Sequence, residues 1–175
     1  MNDQLAREVR SASKRPEVVR AVGELYDRLQ IQVEVRKPLC VQSGKCCRFD
    51  EYGHRLYVTT IELAAFVSQL LPIADCRLPA VSPSNPPIAG VANRRSLPLA
   101  ASPGGCPYQI DKMCGVHPIR PFGCRIFYCD PTAAQWQQEK YEQFHGELKE
   151  LHEKFGIQYF YVEWRQGLGI LGIGE

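Results

Sequence analysis

The sequence predicts a mainly helical α+β chain, with helices packed around two irregular loops that carry most of the cysteines. Three observations lead there. Apolar residues recur at helical spacing near both ends, from Val18 to Leu29 and from Trp136 to Phe155. Helix start and stop signals bracket these runs and a shorter one between them. The cysteines fall mainly into two clusters, in stretches with neither helical nor strand periodicity.

The elements follow in order. Residues 3–32 read as helical, with Pro16 tolerated in a first turn. Beyond it Val18, Val19, Val22, Leu25, Tyr26 and Leu29 form one apolar face, and Pro38 stops the helix before Cys40. A loop over 40–55, with Gly44 and Gly53, carries the first cysteine cluster. Thr59 followed by Glu62 is a capping box opening a helix over 60–71, which Pro72 closes. Residues 72–105 are rich in proline and read as a long irregular excursion with a short strand near "SLPL". The second cysteine region runs from Cys106 to Cys129. Asp130-Pro131 then opens a helix over 131–154, whose apolar positions include Trp136, Tyr141, Phe144, Leu148, Leu151 and Phe155, and Gly156 ends it. "QYFYVEW" (158–164) is a strand candidate.

A chain of 175 residues can bury one core, so we expect a single domain over 1–175. Within it lie an N-terminal helical part (1–38), a cysteine core (40–130) and a C-terminal helix and strand (131–175), with no internal repeat. At 45% hydrophobic and 23% charged, the composition is that of an ordinary globular protein. The apolar run "IELAAFVSQLLPIA" is too short and interrupted to span a bilayer, so no membrane association is expected. Net charge is +2 with lysines and arginines scattered, so nucleic-acid binding has no basic stripe to support it. The N-terminal "MNDQLAREVRSASKRPEVVRA" is charged throughout and lacks the apolar core of a leader, which predicts a cytoplasmic protein with reduced thiols.

In that setting clustered cysteines point to metal more than to disulfides. Eight occur: Cys40-x5-Cys46-Cys47, a lone Cys76, and Cys106-x7-Cys114-x9-Cys124-x4-Cys129. No C-x-x-C is present, which argues against thioredoxin-type and ferredoxin-type sites. Cys124-x4-Cys129, and Cys114 with His117 at two intervening residues, fit the loose range of zinc chelation. Adjacent Cys46 and Cys47 point in different directions and cannot bridge without strain. Cys76 reads as a bland apolar cysteine. The candidate ligands are therefore Cys40, Cys46, Cys47, Cys106, Cys114, Cys124 and Cys129. His117, as a possible ligand, brings the set to eight, enough for two four-coordinate zinc ions. Arg120 and Arg125 flank the second cluster, where cations lower thiol pKa and tune a metal from its second shell of contacts; Lys45 and Arg48 flank the first.

"CVQSGKCC" followed by "GGCPYQIDKMCGVHPIRPFGCRIFYC" resembles the YkgJ-type cysteine-cluster proteins, described as a zinc- or iron-chelating, iron–sulfur-cluster containing family. The family pattern is C-x2-C-x2-CC, then a C-P step, a cysteine and R-P-x2-C-R-x-F-x2-C. Cys40, Cys46 and Cys47 match the first block; Cys106, Cys114, Arg120-Pro121 and Cys124-Arg125 match the second, and Cys129 closes it with one residue after Phe127 where the pattern has two. The resemblance spans about residues 40–130, and Ser43 stands where the pattern has its second cysteine. The flagellin lysine methylase shares such a domain, but no methyl-donor region is recognisable here.

Two functions are expected to compete. One is an iron–sulfur protein, with a four-iron (4Fe-4S) cluster favoured, acting in electron transfer, redox sensing or a cluster-dependent reaction with a redox or protein partner. The other is a zinc-binding structural or interaction module. A hydrolase or transferase using Glu62, His54, Asp111 or Tyr57 beside an open metal position has no recognisable constellation. Whether the protein is an enzyme is open at this level. If the loops converge, the sulfurs of Cys47 and Cys124 should lie within one metal site.

Overall fold

The computed structural model describes residues 1–70 and 104–173. The expected strand near "SLPL", most of the proline-rich excursion and Cys76 lie outside the described residues.

The N-terminal helical region is two helices, α1 (Asn2–Ala12) and α2 (Pro16–Arg36), where one was expected over 3–32. Proline disfavours helical backbone in the residue before it, and Arg15 is accordingly extended, with φ −100° and ψ 101°. Pro16 thus starts a second helix. That helix also runs past its expected end, to Arg36, where Lys37 turns left-handed (φ 50°) and donates its N–H to Val33 O. Its buried row is Val18, Val22, Leu25, Tyr26, Leu29 and Val33, with Val19 only half-buried. Burying each such aliphatic side chain contributes about 1.5–3 kcal/mol.

A short α3 (Phe49–Tyr52) precedes strand β1 (Tyr57–Thr59) and α4 (Thr60–Leu70). Every residue of α4 from Thr60 to Val67 is buried, because α1 and α2 pack on it while β1 and the C-terminal segment cover its start. A two-residue hairpin follows, β2 (Gln109–Ile110) with β3 (Met113–Cys114), then α5 (Phe122–Ile126). Asp130 accepts from Thr132 N–H and opens a 3₁₀ turn over Pro131–Ala133, which runs into α6 (Ala134–Phe155). Gly156, at φ 63°, ends α6 as expected.

The strand expected over 158–164 is confined to β4 (Tyr161–Glu163), paired antiparallel with β1. The reason lies in its partner, which is only three residues long. Trp164 instead opens α7 (Trp164–Ile170), where Glu163 Oε2 accepts Gln166 N–H at 3.0 Å. The described chain is thus mainly helical, with two small antiparallel sheets.

Glu62 ties these layers together. Its Oε2 accepts the Thr59 N–H (2.8 Å) and Thr59 Oγ1–H (2.9 Å). Only the glutamate half of the expected capping box forms, since the threonine hydroxyl donates to the carboxylate. Oε1 accepts Phe122 N–H at 2.9 Å, fixing the start of α5, and faces Tyr26 Oη of α2 at 3.3 Å. Burial pushes the carboxyl pKa up, and these hydrogen bonds oppose that rise. Glu62→Ala should therefore cost about 3 kcal/mol in urea unfolding, because four buried donors lose their acceptor. A loss below about 1 kcal/mol would mean that the network contributes little to stability.

Candidate functional site

The first cysteine loop is shaped by two left-handed residues, Gln42 (φ 49°) and Gly44 (φ 72°). Glycine is required at 44: a Cβ there would sit 2.6 Å from Gln109 Nε2 and 3.1 Å from Lys112 Cα. The close approach seats the loop on the β2–β3 hairpin, and Gln109 Nε2 donates to Gly44 O at 3.0 Å. A 3₁₀ turn over Lys45–Cys47 follows, with Cys47 N–H on Gly44 O. The two cysteine regions then join directly, as Cys106 N–H donates to Cys47 O at 2.7 Å. Arg165 of α7 clamps the same junction, donating to Gly104 O at 2.8 Å and pairing with Asp50.

Cys47 stands within interaction range of Cys46 and Cys106: those two push the Cys47 thiol up, and Cys47 lowers both of theirs. The Cys47 hydrogen bond brings Cys46 down to about 6, with Arg120 and His54 adding positive charge. Cys106 is held down by Cys47, the Tyr108 backbone N–H and Trp164. The Cys47 proton thus favours negative charge on the two sulfurs beside it. A metal cation in place of that proton would let all three sulfurs ionise.

Cys114 and Cys124 stand within electrostatic reach of this group. Burial raises both thiols, and the charges of Cys106 and Cys46 raise them further while Arg120 opposes. Cys106 is thus the common neighbour of Cys47 and Cys124. The remaining two sulfurs form an outer rim. Cys129 is exposed, 3.9 Å from Ser43 Oγ. Cys40, also exposed, follows Leu39, whose N–H donates to Asp130 Oδ2 at 3.1 Å. Ser43, where the resembled pattern has cysteine, therefore faces this rim.

The flanking cations divide by role. Arg125 spends its donors on backbone, Nε to Arg120 O (2.8 Å) and Nη2 to Pro118 O (2.7 Å), with its guanidinium 4.3 Å from the Tyr26 ring centre. It braces the turn before α5. Arg120 Nε is buried with no hydrogen-bond partner, and its charge acts on Cys46, Cys114 and Cys124. His117 is exposed on its turn, and the charges acting on it are those of Arg120 and Arg125. Lys45 and Arg48 lie over the Tyr52 ring.

Trp164 was not singled out by sequence reasoning. Its Nε1 is buried without a hydrogen-bond partner of ordinary geometry, beside the Cys106 thiol that it helps to lower. Only its long-range placement reveals it. His54, whose Nε2 lies 3.3 Å from Cys46 O, belongs to this neighbourhood too. Glu62 is engaged in the structural network, and Tyr57 and Asp111 are exposed on separate elements, so these four build no common site. Among the described residues no group of three or more His, Cys, Asp or Glu side chains stands in metal-ligand geometry. The donor chemistry nonetheless suits a thiolate-held metal, since the buried Arg120 Nε–H lacks an acceptor and its charge acts on three of the thiols, while the Trp164 indole acts on Cys106.

In metal-free protein the Cys46 thiolate, depressed from 9.0 to about 6, persists at neutral pH and is lost as pH falls through about 6. Iodoacetamide at pH 7 should label Cys46 ahead of Cys47, Cys114 and Cys124, with a half-maximal rate near the pH at which Cys46 titrates. Labelling that favours Cys124 would contradict this arrangement. Compared with models of known protein families, with curated proteins and with solved structures, the chain matches none, so its resemblance to the cysteine-cluster family rests on the motifs quoted above.

Proposed function

We propose that the protein is a thiolate-rich metal protein of the YkgJ-like type that holds an iron–sulfur cluster, with the four-iron form favoured. The observation that carries this reading is that Cys47 O accepts the Cys106 N–H at 2.7 Å, joining two distant segments whose thiols Cys46, Cys47, Cys106, Cys114 and Cys124 act electrostatically on one another. Soft sulfur ligands suit iron–sulfur centres, and N–H groups aimed at sulfur tune their potentials. Bound there, the cluster would supply one-electron chemistry. The chain's residues would ligate it, shield its buried side with Trp164 and Tyr108, and offset its negative charge through Arg120. The role is electron transfer, redox sensing or a cluster-dependent reaction in the reducing cytoplasm, with a redox partner rather than nucleic acid. Among the described residues no helix is long and apolar enough to cross a membrane.

Anaerobic purification followed by metal analysis and a visible spectrum tests this reading. Brown protein with iron, acid-labile sulfide and broad absorbance near about 400 nm is expected. Cys106→Ala and Cys47→Ser should each retain less than about a tenth of that metal, judged against a circular dichroism check of folding. Cys76→Ser should retain it. Colourless protein carrying one or two zinc ions would replace this reading with the zinc module.

A further inference from the structure

Apart from the thiols, the fold gathers aromatic rings around one hollow. Its volume is about 620 Å3, within the range of about 300–1,000 Å3 that binding sites occupy. Tyr57, Phe127, Tyr141 and Tyr161 line it, with Leu56 and Ile126 adding apolar surface. Ring contacts place the tyrosines on one face. Tyr57 of β1 and Tyr161 of β4 are diagonal neighbours across their sheet, with ring centres 5.2 Å apart and planes 26° from parallel. Tyr161 Oη is hydrogen-bonded to Tyr141 Oη of α6. Tyr141 in turn rests on buried Phe122, with 5.2 Å between ring centres. The rings are thus held in place although Tyr57 is 43% and Tyr161 39% exposed. Side chains fixed in this way lose little entropy when a partner binds.

The polar groups of the hollow are unbalanced. Its acceptors are mostly engaged from within the chain. Asp130 Oδ1 and Oδ2 accept the N–H groups of Thr132 and Leu39, and Gln137 Oε1 accepts Tyr128 N–H at 2.8 Å. Gln138 is the exception, since its amide donates to Glu142 and its oxygen stays free. Its donors are mostly unused. Gln137 Nε2, Tyr57 Oη and the Arg55 guanidinium make no hydrogen bond among the described residues. The Tyr141–Tyr161 pair uses one of its two hydroxyl protons and leaves the other. Arg55 and Asp130 are the charged side chains of the lining, and they cancel. Such a hollow suits an uncharged occupant with flat apolar faces, many acceptors and few donors.

A proline-rich chain has that chemistry. Its rings are apolar, its carbonyls accept, and proline has no N–H to donate. The polyproline II helix makes no internal hydrogen bonds, so its carbonyls are open to a partner's donors. Aromatic grooves recognise such segments at low entropic cost. Single-stranded nucleic acid also stacks on aromatic rings, but its phosphates need cations, and Asp130 offsets Arg55 here.

We infer that this hollow docks a proline-rich segment of a partner protein in the polyproline II conformation. The tyrosine rings pack against its prolines, and Gln137, Tyr57 and Arg55 donate to its carbonyls. The inference does not depend on a metal at the thiols.

Isothermal titration of the anaerobically purified full chain tests it, with a decaproline peptide as probe. An alanine–lysine peptide and an oligothymidylate of the same length are the controls. Decaproline should bind at least about tenfold more tightly than either control. Tyr57→Ala should weaken it about tenfold, and Tyr57→Phe, which keeps the ring and loses one donor, about threefold. High salt should change the affinity little, because the lining is neutral overall. Arg20→Ala, exposed on α2 and not part of the lining, should leave it unchanged. Circular dichroism checks that each variant is folded. No binding of decaproline, equal binding of the alanine–lysine peptide, or folded Tyr57 variants that bind as tightly as the parent would overturn the inference. Tighter binding of oligothymidylate would also overturn it and assign the hollow to nucleic acid.

Discussion

The 2.7 Å hydrogen bond from Cys106 N–H to Cys47 O is where two segments more than fifty residues apart in sequence become one site. Everything around it serves to hold that junction. Gly44 allows the loop to lie on the hairpin, Arg165 clamps Gly104 and Asp50 across it, and Trp164 and Tyr108 close it off from solvent. Glu62 performs the same task one layer deeper. By accepting from Thr59 and Phe122 it fixes the start of α5, the helix that carries Cys124. A buried carboxylate is costly to desolvate, and the exchange is favourable here because each of its oxygens meets two donors.

The electrostatics of the thiols follow from this convergence. Cys47 is pushed up by its interactions with Cys106 and Cys46, and Cys124 by burial first and then by the charge of neighbouring sulfurs. Arg120 offsets part of that repulsion without bonding any thiol. A bound cation would offset the rest. Cys40, Cys46 and Cys129 are exposed, Cys47 and Cys106 are buried, and Cys114 and Cys124 are half-buried.

Much of the helical frame was legible in the sequence, because its signals are local. The face of α2, the Asp130-Pro131 opening and the Gly156 stop are read from residues a few positions apart. The break at Arg15 was missed because Pro16 was weighed for its own place and not for the extended backbone it imposes on its predecessor. The pairing of β1 with β4 joins Tyr57 to Glu163, and nothing near either residue announces it. The same holds for the site. The cysteines announce themselves, but Arg120 and Arg125 look equivalent in sequence, and only the fold turns one to backbone carbonyls and leaves the other unpaired among the thiols. Trp164 is invisible as a site residue until α7 carries it beneath Cys106.

X-ray absorption at the metal edge of the anaerobically purified protein reads the ligand shell directly. If the converging thiolates hold an iron–sulfur cluster, the iron will show a sulfur-only first shell at about 2.3 Å, with iron scatterers behind it. A shell of nitrogen and oxygen, or protein that carries no metal at all, would contradict the assignment of these cysteines to a metal centre.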